Sequence, residues 1–184
     1  MSHSVMELVA LDEEELESLL EEDSLNFDDF LENEDDDYYI HSMDRAWAVI
    51  WFILTDSSFD RDDLYAPSVI VYDEEGDYEI STSFISEAEL VENDDSGWSE
   101  CYYLSSNEVV EISRALNAFS AEDFSKRFSS TIFKQAVSNG EIQGDLFWAK
   151  EENYAVLIDS YYKPFVEFFS IAASQRKAII YAIG

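Results

Sequence analysis

The sequence predicts an α+β protein, a single compact domain over residues 1–184 in which a small mixed sheet packs against several helices. Three observations carry this. The apolar fraction is 47%, with 15% aromatic residues, far above what a disordered acidic chain contains. Short β-type runs stand at both ends of the chain, Val5 to Ala10 and Ala178 to Ile183. Between them, Tyr154, Leu157, Ile158, Tyr161, Phe165, Phe168, Phe169 and Ala172 keep spacings of three and four, which is the period of one long amphipathic helix. A chain of 184 residues is long enough for one domain with a proper core. It shows no internal repeat and no Gly/Ser linker that would mark a second domain.

Taken in order, Val5 to Ala10 reads as a strand, and Asp12 with Glu15 has capping-box-like spacing ahead of Leu16, Leu19 and Leu20, which predicts a helix near residues 13 to 22. Ser24 to Tyr39 mixes apolar residues with acids and reads as a short helix followed by an exposed acidic loop. From Asp44 to Leu54 almost no polar face remains, so a buried helix is expected. Residues 55 to 77 hold Pro67, Gly76 and several Asp, a long connection with a short strand at Val69 to Tyr72. Tyr78 to Ile85 and Trp98 to Leu104 read as strands on either side of the turn-prone Asn93 to Gly97. Ser105 with Glu108, and Ser120 with Asp123, open two further helices. Pro164 inside the long helix predicts a kink near Ser160 to Tyr161, because its ring nitrogen cannot donate to the preceding turn.

Charge is distributed unevenly. Residues 1–44 hold 17 Asp and Glu with no Lys or Arg, residues 45–105 hold 15 acids against Arg45 and Arg61, and residues 106–184 hold 10 acids against 8 bases. The three stretches carry net −17, −13 and −2, which make up the formal −32. The acids also come in runs such as Asp12 to Glu15 and Glu34 to Asp37, where neighbours lie within the Debye length of about 8 Å and reinforce one another. Such a one-sided field is aimed at something positive, and it repels nucleic acid and anionic membranes. Acidity acquired for high salt would instead spread over the whole chain.

Cys101 is the sole cysteine, so no internal disulfide can form and a reducing compartment is expected. No secretory signal and no apolar run near the about 18 residues needed to span a bilayer are seen, so the expected location is the cytoplasm.

The segment Met43-Asp44-Arg45-Ala46-Trp47-Ala48-Val49-Ile50-Trp51-Phe52-Ile53-Leu54-Thr55, then Tyr103-Leu104-Ser105 leading into Glu108-Val109-Val110-Glu111-Ile112, then the aromatic helix and Ala178-Ile179-Ile180-Tyr181, resembles the YfbM-like family of small bacterial proteins of unknown function. The resemblance spans nearly the whole chain. It implies a compact α+β domain in a cytosolic bacterial protein and no established catalytic residues. The chain departs from the family pattern after the tryptophan helix, where a Pro-Leu pair and paired glycines are replaced by Pro67-Ser68 and Gly76 alone.

Catalytic candidates are few. His3 stands near the chain start, His41 follows the acidic run and reads as structural or solvated, and Cys101 lies in a strand-like run with no nearby His to activate it. Nucleophile-elbow, phosphate-loop and zinc-ligand patterns are absent. Asp73-Glu74-Glu75-Gly76-Asp77 lacks the alternating ligands and distal Glu of a calcium loop. No catalytic residue, metal or cofactor is therefore expected. Asp44, Arg45 and Trp47 have two readings, an ion pair at the start of a helix over a core tryptophan, or the lining of a small pocket. Tyr38, Tyr39, Tyr102 and Tyr103, next to acids, also have two: interface anchors, or strand residues of which alternate members face inward.

The expected function is that of a non-enzymatic acidic binder, an immunity protein that neutralises a basic bacterial toxin such as a nuclease, acting as a monomer or small homo-oligomer. Asp35, Asp36, Asp37, Asp62, Asp63, Asp94 and Asp95 would steer the partner, with Tyr38 and Tyr39 as anchors. Two alternatives stand beside it: a YfbM-like enzyme or ligand-binding domain with a pocket near Asp44, Arg45 and Trp47, and a DNA mimic.

Overall fold

The structure is a computed structural model that describes residues 5–21, 26–32, 38–55, 69–73, 76–80, 100–142 and 146–184, with the backbone alone for 69–73, 76–80 and 100. The chain runs β1 (Met6–Leu11), α1 (Glu13–Glu21), α2 (Phe27–Leu31), β2 (Tyr39–Asp44), α3 (Trp47–Thr55), β3 (Val69–Asp73), β4 (Gly76–Ile80) and β5 (Glu100–Leu104). There follow α4 (Ser106–Ala118), α5 (Ala121–Phe128), α6 (Thr131–Asn139), two short 3-10 turns, and one continuous rod made of α7 (Tyr154–Val156), a π-helical segment (Leu157–Tyr162) and α8 (Lys163–Ser174). The terminal strand β6 (Ala178–Ile183) closes the chain.

The strands are ordered β2-β1-β6-β5, with β3 and β4 forming a separate hairpin beside α3 and α4. The predicted α+β class and the terminal strand hold, and that strand lies inside the sheet. Mixed pairing does not, because every neighbouring pair in the four-stranded sheet is antiparallel. β6 is buried along its whole length, since it is sandwiched between two strands and covered on both faces.

Side-chain alternation divides the interior in two. Met6, Leu8, Met43, Tyr102, Leu104, Ile179, Tyr181 and Ile183 meet α3, α4, α5, α6 and α8 in a large aromatic core. Val9, Leu11, Ala178, Ile180 and Ala182 meet only Leu16 of α1 and Phe27 and Phe30 of α2, backed by half-buried neighbours.

α3 is buried at every position, so its backbone ends need internal partners. Arg127 supplies them from α5: its Nη1 donates to the Ile53 and Leu54 carbonyls at 2.9 Å each, and its guanidinium lies 4.9 Å from the Phe119 ring centroid. A cation at a helix C-terminus also complements the helix dipole. The two predicted caps form as capping boxes, Ser105 with Glu108 and Ser120 with Asp123.

One further expectation needs correction and two are refined. Asp44 does not begin the tryptophan helix; it ends β2 in left-handed backbone (φ 44°), and α3 starts at Trp47. Around Ser160 the long helix departs from regular α-helical geometry ahead of its proline. It widens into a π-helical segment in which the Lys163 N–H donates to the Ile158 carbonyl five residues back, and this wider turn makes room for the Pro164 ring. Residues 131–139, beyond the two helices expected from their caps, form α6 between a Ser130 cap and Gly140 in left-handed conformation (φ 71°).

Candidate interaction surface

The thin layer formed by α1 and α2 is where the described acids concentrate. Among described residues 5–32 there are ten Asp and Glu and no base, and both helices rest on the same face of the sheet. α1 is amphipathic: Leu16 is buried while Glu14, Glu17 and Glu21 are exposed, and Asp29 and Glu32 extend the exposed acids onto and past α2. Two acids of α1 have structural roles. Glu13 accepts the Ser106 N–H at 2.6 Å, at the start of α4, where the helix dipole favours a carboxylate, and Glu15 accepts the Tyr38 hydroxyl.

Among the described residues, the ion-paired lysines belong to other elements. Lys126 pairs with Glu122 at 3.0 Å and Lys163 with Asp159 at 2.6 Å, each within its own helical stretch, and both pairs belong to the opposite, near-neutral layer. Lys177, in the turn before β6, reaches across to Asp12 at 3.0 Å. Ten bases cannot balance 42 acids, and these pairs leave Glu14, Glu17 and Glu21 with their charge directed at solvent.

The predicted anchors separate. Tyr38 faces the thin layer, edge-on to Phe30 with ring centroids 5.0 Å apart, and its hydroxyl is taken by Glu15. Tyr39 faces the other way, stacked on the buried Phe168 at 5.0 Å, and remains 40% exposed; Ile40 beside it is equally exposed. Tyr102 is core, stacked on Tyr181 at 5.3 Å, while Tyr103 is half-buried against the thin layer, so the inward-facing reading holds for Tyr102. Asp35, Asp36, Asp37, Asp62, Asp63, Asp94 and Asp95 lie outside the described residues, as do Arg61 and the Asn93 to Gly97 turn.

Asp44, Arg45 and Trp47 do not converge on a pocket. Trp47 is buried and lines, with Met43, Ile50, Trp51, Phe165 and others, an apolar cavity of about 20 Å³, room for a single water-sized guest. A small-molecule site needs an order of magnitude more space. Arg45 is exposed and makes no ion pair with Asp44. Asp44 instead lies near Tyr161 of the π-helical segment, and its charge raises the Tyr161 phenol after the larger effect of burial. The register slips between Met6 and Glu7, so that Met43 is the extra residue of a bulge beside Asp44. Trp148 stands edge-on to Tyr161 at 4.8 Å. Glu7, half-buried nearby, has its carboxyl raised by burial and by the Asp44 charge, against the Ser42 hydroxyl donating to it at 2.6 Å.

His41 is structural. It lies over Phe168 and Phe165, at 5.6 and 6.3 Å, and burial lowers its pKa to about 4. Burial also pushes the Cys101 thiol up to about 12, which leaves essentially no thiolate at neutral pH. Among the described residues no group of three His, Cys, Asp or Glu is placed to hold a metal ion, and no helix is long and apolar enough to cross a membrane.

A two-faced α+β sheet, aromatic on one side and acid-covered on the other, is the class this geometry defines. Residues 1–182 match the family described as domain of unknown function DUF1877, and the chain belongs to that family. Among solved structures it is similar to a protein of unknown function, YfbM from Escherichia coli, with a TM-score of 0.59 and 16% identity over 98% of this chain and 99% of that one. That likeness shows the shared fold. No curated protein matches the sequence.

Proposed function

We propose that this chain is a non-enzymatic acidic binder that neutralises a basic protein, most simply an immunity protein against a bacterial toxin such as a nuclease. One observation supports the reading: among the described residues, α1 and α2 carry exposed carboxylates on one face of the sheet and no base, while Lys126 and Lys163 pair with acids of their own helical stretches in the opposite layer and Lys177 alone reaches the acidic side, at Asp12. A nucleic-acid-cleaving enzyme presents a basic groove, and clustered carboxylates both speed its capture and cover it. The tiny apolar cavity under Trp47, the raised Cys101 thiol and the packed His41 weigh against chemistry at those positions.

The test is protection. Co-expression with a toxin whose basic C-terminal domain is encoded beside this chain should restore growth, and the two should co-purify at low salt. Growth arrest that persists despite soluble, folded chain contradicts the reading. The same pair separates the DNA-mimic alternative, in which the target would be a DNA-binding protein without toxicity and duplex DNA would compete for it.

A further inference from the structure

The pairing register fixes which backbone groups of β2 are already used. Val5 and Gly184 exchange both backbone hydrogen bonds, at 2.8 and 3.1 Å, and β1 pairs with β6 in step from Met6 opposite Ile183 to Leu11 opposite Ala178. Hydrogen-bonded pairs alternate along an antiparallel ladder. The odd-numbered residues of β1 therefore bond to β6, and Leu8 and Ala10 turn their N–H and C=O toward β2, opposite His41 and Tyr39. Tyr39 and His41 use their backbone groups on β1, so Ile40 and Ser42 direct theirs away from the sheet. Among the described residues no strand lies beyond β2.

Edges of this kind are usually blunted by Lys, Pro or cover. Tyr39-Ile40-His41-Ser42 has neither Lys nor Pro, and Tyr39 and Ile40 are each 40% exposed on opposite faces. Ile40 shares its face with Val9 and with the acidic helices, while Tyr39 shares its face with Phe168 and the aromatic layer. A strand laid along this edge would alternate in the same way. Its residues on the Ile40 face would meet the acidic field, and those on the Tyr39 face would meet a ring.

On the reading of the chain as a binder of a basic protein, we propose that the partner docks along the outer edge of β2. It contributes an extended segment alternating basic with apolar residues, which pairs with Ile40 and Ser42 as an added strand. The bulge at Met43–Asp44 breaks the regular register of β2, and the strand ends at Asp44, so the added pairing is limited to a few residues.

The probe is a synthetic ten-residue peptide of alternating Lys and Val, titrated at low salt by calorimetry and by amide chemical shifts. Ile40→Pro removes the outward N–H and leaves the β1–β2 ladder intact, because that N–H is not part of it; Ile40→Ala keeps the N–H and trims the side chain. The alanine variant should bind within about threefold of wild type, the proline variant at least about tenfold more weakly, and the wild-type shifts should centre on Ile40 and Ser42. A folded proline variant that binds as tightly as the alanine variant overturns the proposal. Should the proline variant fail to fold, the peptide N-methylated at alternate residues replaces it, and wild-type binding equal to that of the unmethylated peptide overturns the proposal equally. No binding of the unmodified peptide does so as well. Replacing Glu14, Glu17 and Glu21 by Gln separates the two ideas: unchanged affinity at low salt removes the charge reading and spares the edge, while equal proline and alanine variants remove the edge and spare the charge reading.

Discussion

On one face of the sheet Trp47, Phe124, Phe165, Phe168 and Phe169 interlock with three or more helices, and Arg127 ties α5 to the end of α3. On the other, two short helices are held by Leu16, Phe27 and Phe30 and carry exposed acids outward. The first layer buries most of the aromatic surface and supplies most of the packing. The second is thin, yet it carries the charge. On the proposed function, stability and recognition would fall on opposite sides of one sheet, and a substitution should affect mostly one or the other.

That division can be broken most visibly from the aromatic side. Phe168→Ala, at a fully buried ring that also supports Tyr39 and His41, should cost about 3–5 kcal/mol in urea unfolding. A cost near 1 kcal/mol would show that the aromatic layer is not the stabilising one. Arg127→Met should cost about 2–3 kcal/mol, since the Ile53 and Leu54 carbonyls lose their buried donor.

His41 sharpens the comparison through pH. Its pKa falls from an ordinary 6.5 to about 4, so the folded state favours the neutral ring; the stability this gives is present above about pH 6.5 and is lost as pH falls toward 4. With allowance for the exposed part of the ring, His41→Phe should flatten that window by on the order of 2 kcal/mol relative to wild type. Identical pH profiles for the two proteins would remove His41 from the packed layer. Smallest of all, replacing Glu14, Glu17 and Glu21 by Gln should change stability by no more than about 0.5 kcal/mol, toward stabilisation at low salt, because like charges are removed from one helix. A loss above 1 kcal/mol would mean these acids hold the fold.

What was legible in the sequence was local. Ser105 with Glu108 and Ser120 with Asp123 announce their helices through contacts three residues apart, and the Tyr154 to Ala172 stripe through its period. β2 was missed because Tyr39 to Asp44 shows no clean alternation: as an edge strand it exposes residues on both faces. α6 carried a Ser130 cap and a terminal Gly140 that could have revealed it. The π-helical segment was illegible because Pro164 shows that the regular ladder must break and not how, and the Asp44 bulge because it depends on pairing with β1 more than thirty residues away. Of the site, the acidity was legible and its placement was not. Nothing in the sequence separates Glu13 and Glu15, used for α4 and Tyr38, from Glu14, Glu17 and Glu21, which face solvent.

The most direct measurement is the association rate of wild type and the Glu14/Glu17/Glu21→Gln protein with a basic toxin domain against which the chain protects in co-expression, at about 20 and about 300 mM salt. Steering by the acidic layer predicts that the wild-type rate falls at least about tenfold with salt, that the variant is slower at low salt, and that the two converge at high salt. Equal rates for the two proteins at low salt, or a rate indifferent to salt, would contradict it.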